Sequence, residues 1–172
     1  MVGASIGTSM AILHDDLSVD ADPETSSAYL TERMAELFAT GLEWKPGARE
    51  LLVAVGEAGI PIALVTATHR RLTDIALSFM GRELFTASVC GDEVGRPKPY
   101  PDSYLQAALL VNADPRNCVA IEDSVTGVAS AQAAGCVVIA VPSEVVVPPG
   151  AGRTVIDTLV GVGVEDLRLL AA

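Results

Sequence analysis

Residues 118–141 read CVAIEDSVTGVASAQAAGCVVIAV, and this stretch decides the fold. The apolar runs Cys118–Ile121 and Val137–Val141 predict two short strands, and the Ala-rich stretch Val125–Ala134 predicts a helix between them. Ser124 stands directly before that stretch, where an N-cap residue is expected. A strand, a helix and a strand in this order are typical of a parallel sheet that is covered by helices.

The same alternation extends upstream to Pro46 and downstream into the tail. We predict further helices at Ala48–Glu57, Arg70–Met80, Pro101–Val111 and Val164–Leu170, and further strands at Ile60–Val65, Ala87–Cys90 and Thr154–Ile156. The run Ile60–Val65 lacks an alternation of apolar and polar residues, which favours a strand buried on both faces. The sequence therefore predicts an α/β fold with a doubly wound parallel sheet in residues 43–172.

Residues 1–42 differ from the rest because they contain no convincing strand. Within Pro23–Thr40, four apolar side chains recur at helical spacing and form one stripe: Leu30, Met34, Leu37 and Phe38. The segment from Ser5 to about His14 predicts a second, shorter helix. We therefore predict that residues 1–42 form a helical region separate from the sheet.

The composition favours a globular protein and excludes several classes of partner. Half of the 172 residues are hydrophobic, which is enough for a substantial core. The net charge of −11, with only 11 Lys and Arg, argues against general binding to nucleic acid or to an anionic membrane. The sequence contains no leader-like segment and no apolar run of membrane-spanning length, so we expect a cytoplasmic protein. Three cysteines without metal-ligand spacing are expected to be reduced core residues: Cys90, Cys118 and Cys136.

Thr66 and Ala67 follow the first apolar run and are candidate phosphate-binding residues. Ligands of open parallel sheets bind at the carboxyl ends of the strands. A hydroxyl group and a backbone N–H that point into one crevice can bind phosphate oxygens. The alternative is that Thr66 is the N-cap of the following helix. His69 either lines the same crevice or is an exposed residue of the first helical turn.

Lys98 lies within GDEVGRPKPYPDSY, residues 91–104. Pro97 and Pro99 hold the flanking backbone in an extended form and so fix the direction of the ammonium group. As a point charge, Lys98 can neutralise a phosphate group or an aspartyl-phosphate. The alternative is a solvated loop lysine.

Glu122 and Asp123 are adjacent carboxylates at the end of the strand Cys118–Ile121. Such a pair suits Mg²⁺, which prefers one or two carboxylates together with waters and a substrate phosphate. The alternative is that both acids favour the N-terminus of the following helix through its dipole. Gly127 permits close packing beside them.

These three motifs together resemble a known superfamily. A strand-end Thr, a Lys within GRPKPxPD and a strand-end ED followed by SxxGxxSAxxAG are similar to motifs two, three and four of the haloacid dehalogenase superfamily, in particular its phosphatase and β-phosphoglucomutase-like subgroup. The likeness covers approximately residues 45–141. It implies a Rossmann-like core, an α-helical cap of which residues 1–42 are a remnant, and a Mg²⁺-dependent phosphoryl transfer from a small phosphorylated substrate.

The resemblance also implies roles for individual residues. At the positions that match the superfamily's motifs, Thr66 and Ala67 would hold the transferring phosphoryl group. Lys98 would offset the negative charge between the nucleophile and the phosphate. Asp123 with Glu122 would position Mg²⁺ directly or through water.

The first motif of the superfamily, DxDGT or DxDGV after an apolar strand, has no match in this sequence. It would supply the nucleophile and the general acid and base. In the superfamily its strand lies in the middle of the sheet, between the strands that here are Ile62–Val65 and Cys118–Ile121. We therefore expect a truncated chain whose first central strand is missing, which is inactive as given and prone to aggregate through open strand edges.

Two classes of function follow from this pattern. The first is a hydrolase of a small phosphorylated metabolite, such as a sugar phosphate or a phosphoglycolate-like compound, with a phosphomutase as a close variant. The second is a genuine short protein that binds phosphorylated ligands or a partner without turnover. The sequence leaves the substrate and the oligomeric state open.

Overall fold

The computed structural model describes residues 6–143 and 145–171. Within these ranges the chain forms seven α-helices: α1 Ile6–Leu17, α2 Pro23–Phe38, α3 Ala48–Glu57, α4 Arg70–Met80, α5 Asp102–Leu110, α6 Val125–Ala134 and α7 Val164–Ala171. It also forms five strands: β1 Ala63–Val65, β2 Ala87–Val89, β3 Val119–Glu122, β4 Val137–Ala140 and β5 Arg153–Val155. The predicted α/β alternation is therefore confirmed.

Most predicted elements agree with the structure to within a few residues, and two differ at their ends. Helix α1 continues to Leu17 rather than ending near His14, and its predicted first residue, Ser5, lies outside the described residues. Strand β1 begins at Ala63 rather than Ile60. Pro61 has no N–H for a strand ladder, which accounts for the late start.

All strand pairs are parallel, and they form two separate sheets. Strand β1 pairs with β2, and β4 lies between β3 and β5. In the described part of the chain, no strand joins β1 to β3. The expectation that β1 is buried on both faces is wrong, because its three residues are only half-buried. The reason is its place at the edge of a two-stranded sheet. The missing central strand stays a prediction.

The direction of the backbone groups shows which edges are unpaired. The Thr66 N–H donates to the Val89 carbonyl, so Thr66 faces β2 and its neighbour Val65 faces away from it. The Glu122 carbonyl accepts from the Val141 N–H, so Glu122 faces β4 and Ile121 faces the opposite edge. The edge of β1 away from β2 and the edge of β3 away from β4 therefore have no partner strand among the described residues.

Two apolar clusters hold the helices on the strands. The first joins α5 and α6 to β3 and β4: Tyr104, Ala120, Val128, Ala131, Cys136, Val138, Ala140 and Val147. The second joins α3 to Leu159, with partly buried side chains of α7 packed against it. Full burial of a side chain such as Val128 or Val138 stabilises the fold by about 1.5–3 kcal/mol. These clusters fix the strand ends at which the candidate site lies.

The N-terminal helices form a smaller unit that contacts α4. Helix α2 begins at Pro23 behind the N-cap Asp22, whose carboxylate accepts from two backbone N–H groups of the first turn. The hydrogen bond from the Thr25 hydroxyl is the main reason why the pKa of Asp22 is lowered. Arg71 of α4 lies 2.6 Å from Glu32 of α2. A boundary between residues 1–42 and 43–172 stays a prediction.

The predicted stripe on α2 is only partly covered. Leu30, Met34 and Phe38 are half-buried, whereas Leu37 is 51% exposed. The stripe packs on few neighbours because the described part of this helical region consists of two helices.

All three cysteines are free thiols, as predicted. Cys90 and Cys136 are buried, whereas Cys118 is half-buried at the start of β3. Burial raises the pKa of Cys136 to about 11. No helix in the described ranges combines the length and the apolar character needed to cross a membrane.

Candidate functional site

A buried ion pair between Lys98 and Glu122 forms the centre of the candidate site. Glu122 is the last residue of β3, and Lys98 lies in the loop between β2 and α5. The Lys98 Nζ lies 2.5 Å from Glu122 Oε1, and the two side chains are 8% and 7% exposed. The ammonium group also donates to the Val65 carbonyl at the end of β1, at 3.3 Å. Lys98 therefore connects the carboxyl ends of the two sheets.

The loop geometry explains how Lys98 reaches this position. The Tyr100 N–H donates to the Pro97 carbonyl, which closes a tight turn around Lys98. The turn directs the side chain inward, where the ammonium group lies 5.1 Å from the centre of the Tyr104 ring. The alternative of a solvated loop lysine is therefore wrong.

The Glu122 carboxylate is satisfied by several groups at once. Its Oε1 also accepts from the Tyr104 hydroxyl, and its Oε2 accepts from the Ser124 hydroxyl at 3.3 Å. Burial, and then the adjacent Glu122 charge, raise the pKa of Tyr104 well above its usual value. A buried charge is costly unless it is paired and hydrogen-bonded. This arrangement meets that requirement with one cation and two hydroxyl groups.

Gly127 provides the space for that carboxylate, as the sequence predicts. A Cβ atom at Gly127 would lie 1.9 Å from Glu122 Oε2. The N–H of Gly127 donates to the Ser124 hydroxyl, which confirms Ser124 as the N-cap of α6. Only a residue without a side chain permits the first turn of α6 to close on β3 in this way.

Asp123 follows Glu122 and differs from it in environment. Its side chain is exposed at the N-terminus of α6, whereas Glu122 is buried. The two acids therefore differ in their accessibility to a ligand. Both Glu122 oxygens are engaged by protein donors, and the Asp123 carboxylate remains available to a ligand from solvent.

Thr66 and Ala67 lie beside this pair, directly after Val65. The Thr66 hydroxyl accepts from the Thr68 N–H at 3.0 Å. The N-cap of α4 is His69, so the alternative that Thr66 caps the helix is wrong. His69 is exposed and makes no capping hydrogen bond through its side chain. The structure thus brings the loop that carries Thr66 next to the Lys98 ammonium group.

Two groups near the site are not predictable from the sequence. Tyr104 is the last residue of the segment 91–104, but nothing in its type or spacing indicates that its hydroxyl donates to Glu122. The second group is the Arg70–Glu93 pair, in which Nη2 lies 2.7 Å from Oε2. Its partners are far apart in sequence, so only the pairing of β1 with β2 brings them together.

Fold and site together define an α/β protein with a buried Lys–Glu pair and an exposed carboxylate at the ends of parallel strands. A profile of the haloacid dehalogenase-like hydrolase family matches residues 9–135. The chain therefore belongs to the haloacid dehalogenase-like hydrolases, and the curated relatives that it resembles include proteins named as phosphatases.

Two curated relatives and one solved structure illustrate this membership. Protein CbbY of Rhodobacter capsulatus is 40% identical over 119 residues, which cover 66% of this chain and 52% of the relative. Hexitol phosphatase A of Escherichia coli K12 is 41% identical over 101 residues, which cover 59% of this chain and 47% of the relative. The chain thus spans about half the length of these relatives.

The solved structure is similar in fold. The β-phosphoglucomutase of Clostridium difficile superposes with a TM-score of 0.81 over 98% of this chain and 78% of its own, at 19% identity. This likeness supports the Rossmann-like core and carries no information about substrate.

Proposed function

We propose that this protein is a Mg²⁺-dependent hydrolase of small phosphorylated metabolites, and that residues at the ends of β1 and β3 bind the phosphate group and the metal. The observation that carries the proposal is the position of the Lys98 ammonium group between the Val65 carbonyl and Glu122. It is a fixed positive charge that contacts Val65 and Glu122, the residues directly before Thr66 and the exposed Asp123. Family membership supports a phosphatase-type reaction.

Each residue has a role in this proposal. The Thr66 hydroxyl and the Ala67 N–H bind phosphate oxygens. Lys98 offsets the negative charge of the phosphate group, and Glu122 holds Lys98 in place rather than binding the substrate. Asp123 is the direct carboxylate ligand of the metal.

The donor groups fit a weakly held Mg²⁺ ion. Mg²⁺ keeps several waters and is held by one or two carboxylates together with substrate phosphate oxygens. Asp123 supplies one such carboxylate, and Glu122 contributes at most through a water because its oxygens already accept three protein hydrogen bonds. The described residues contain no group of three metal-binding side chains. When bound, the ion would supply further positive charge to the phosphate oxygens.

The substrate class is a phosphorylated polyol or sugar. One relative is named a hexitol phosphatase, and it is 41% identical over 59% of this chain. The net charge of −11 further disfavours a polyanionic macromolecule as substrate. A phosphomutase would use the same residues, so product analysis is needed to separate it from a phosphatase.

A second candidate is a phosphate-binding module without turnover. It is favoured by one observation, namely that the sequence contains no DxDGT or DxDGV segment to supply a nucleophile. The remaining acids near strand ends do not replace it. Asp92 accepts from the Arg70 N–H, and Asp157 follows β5, away from Lys98.

A turnover assay separates the two candidates. The chain is incubated with Mg²⁺ and a hexitol phosphate or a generic phosphate ester, and phosphate release is measured for the wild type, Asp123→Asn and Asp157→Asn. If the wild type and Asp157→Asn release phosphate and Asp123→Asn does not, the result supports the hydrolase. It then also shows that a nucleophile is present. No release, together with phosphate binding that depends on Asp123, supports the binding module. Full release in Asp123→Asn overturns the role given to Asp123.

A further inference from the structure

The guanidinium group of Arg70 connects two loops that follow neighbouring strands. Arg70 is the first residue of α4, and its Nε and Nη2 donate to the two carboxylate oxygens of Glu93 at 2.8 and 2.7 Å. Its Nη1 and Nη2 also donate to the hydroxyl and carbonyl of Ser88 in β2, at 2.9 and 3.1 Å. The Arg70 N–H donates to Asp92 at 2.9 Å. Arg70 therefore fixes the segment after β2 against the start of α4.

The same segment supports the loop that carries Ala67. The Gly91 N–H donates to the Thr68 carbonyl at 3.0 Å. A Cβ atom at Gly91 would lie 2.3 Å from the Ala67 carbonyl oxygen, so the two backbones are in direct contact. Glu93 closes the turn, because its Oε2 accepts from the Cys90 N–H at 2.8 Å. A displacement of Glu93 would thus move Gly91 away from Ala67 and Thr68.

We propose that Arg70 and Glu93 are positioning residues for the phosphate-binding loop, because their bidentate pair holds Gly91 against Ala67 and Thr68. This inference rests on the proposed function of Thr66 and Ala67. Neither Arg70 nor Glu93 touches the phosphate group. They determine the direction in which the Ala67 N–H points.

The alternative is an ordinary surface ion pair, which contributes little to stability and has no role in ligand binding. The geometry distinguishes this pair from the exposed ones. Arg70 and Glu93 are 29% and 32% exposed, and the guanidinium group makes four hydrogen bonds to two residues. The Arg70 hydrogen bonds also lower the pKa of Glu93 to about 2. By comparison, Arg116 forms a similar bidentate pair with Asp114 but is 82% exposed.

The experiment compares Arg70→Lys and Glu93→Gln with Arg116→Lys as the matched control. Binding of inorganic phosphate in the presence of Mg²⁺ is followed through the backbone amide resonances of Ala67 and Thr68 by NMR. Hydrogen exchange of the Gly91 amide is measured without phosphate. All measurements are made below the thermal midpoint of each variant.

We expect Arg70→Lys and Glu93→Gln to weaken phosphate binding about tenfold, as is typical of residues that orient a ligand-binding group. The Gly91 amide should exchange faster in both variants, and Arg116→Lys should change neither quantity. If Arg70→Lys does not fold, Glu93→Gln gives the same test, because it preserves the shape of the side chain.

Two outcomes would overturn the inference in different ways. If the wild type binds phosphate and both variants bind it equally well, the role of Arg70 and Glu93 is overturned. The proposed function of Thr66 and Ala67 is then unaffected. A wild-type chain that binds no phosphate would overturn the proposed function of Thr66 and Ala67, and this inference with it.

Discussion

The Lys98 ammonium group lies 2.5 Å from the Glu122 carboxylate, with both side chains more than nine-tenths buried. This pair joins the loop before α5 to the end of β3, and through Val65 it also contacts the other sheet. A single interaction thus fixes the candidate site and connects two parts of the fold that no strand pairing joins among the described residues.

Removal of Lys98 should strongly destabilise the protein. The variant Lys98→Met leaves the Glu122 carboxylate buried without its cation, and loss of one partner of a buried pair typically costs about 3–5 kcal/mol. The free energy of unfolding is measured by urea denaturation. The control is Arg33→Met, which breaks the exposed Arg33–Glu36 pair and should change stability by less than about 1 kcal/mol. Equal small effects of both variants would contradict the burial of the Lys98 pair.

Tyr104 should ionise only well above the usual pH range of a tyrosine. Tyr29 and Tyr100 are exposed, whereas burial and the Glu122 carboxylate raise the pKa of Tyr104 well above its usual value. Because the pKa is raised in the folded state, the stabilisation is complete below pH 10 and decreases as the pH rises above that value. An ultraviolet titration checks this, with Tyr104→Phe as the control that removes the last step. A difference between wild type and Tyr104→Phe that appears already at the usual pH of tyrosine ionisation would refute it.

A methyl group at position 127 should not be tolerated. The Cβ of Gly127→Ala would overlap the Glu122 carboxylate, so we expect a loss of about 1–3 kcal/mol or more in unfolding free energy. The matched control is Gly7→Ala in α1, where none of the described residues lies within 4 Å of the added atom. That variant should gain about 0.5–1 kcal/mol, because alanine favours helices over glycine. Thermal and urea unfolding give both values, and a neutral Gly127→Ala would contradict the close contact.

Hydrogen exchange should reveal the two unpaired strand edges. The amide of Thr66 donates to Val89 and should be protected, whereas the amide of Val65 faces the open edge and should exchange quickly. In β3, Glu122 faces β4 and should be protected, and Ile121, which is 40% exposed, should not. Protection of Val65 and Ile121 as strong as that of Thr66 and Glu122 would show that another segment or another copy fills the edge.

The sequence was sufficient to predict the alternation of elements, because β1, β3 and β4 are short, mainly aliphatic runs and the helices between them have recognisable ends. Ser124 and Gly135 mark the limits of α6 in this way, and the helix has the predicted bounds. The same local signals failed for β1. The burial of β1 depends on which strand lies beside it. The composition of Ile60–Val65 does not indicate which segment of the chain becomes that neighbour.

The candidate site was predicted in part. Lys98, Glu122 and Asp123 follow from their positions near strand ends and between prolines, and the structure brings Lys98 and Glu122 together. The difference in environment between the two acids was not predicted. It depends on the Tyr104 hydroxyl, which donates a hydrogen bond to the Glu122 carboxylate. Tyr104 lies in α5, which begins at Asp102. Such a contact depends on how α5 packs on β3, and no local pattern encodes it.

The most direct test of the account is the coupling between phosphate and Mg²⁺ measured by calorimetry. If Lys98, Thr66 and Ala67 bind the phosphate group and Asp123 binds the metal beside it, each ligand should tighten the binding of the other by the same factor, about 5–150-fold. Asp123→Asn should abolish this coupling, and Asp157→Asn should retain it. Phosphate binding that is independent of Mg²⁺, or a coupling that survives in Asp123→Asn, would contradict the proposed site.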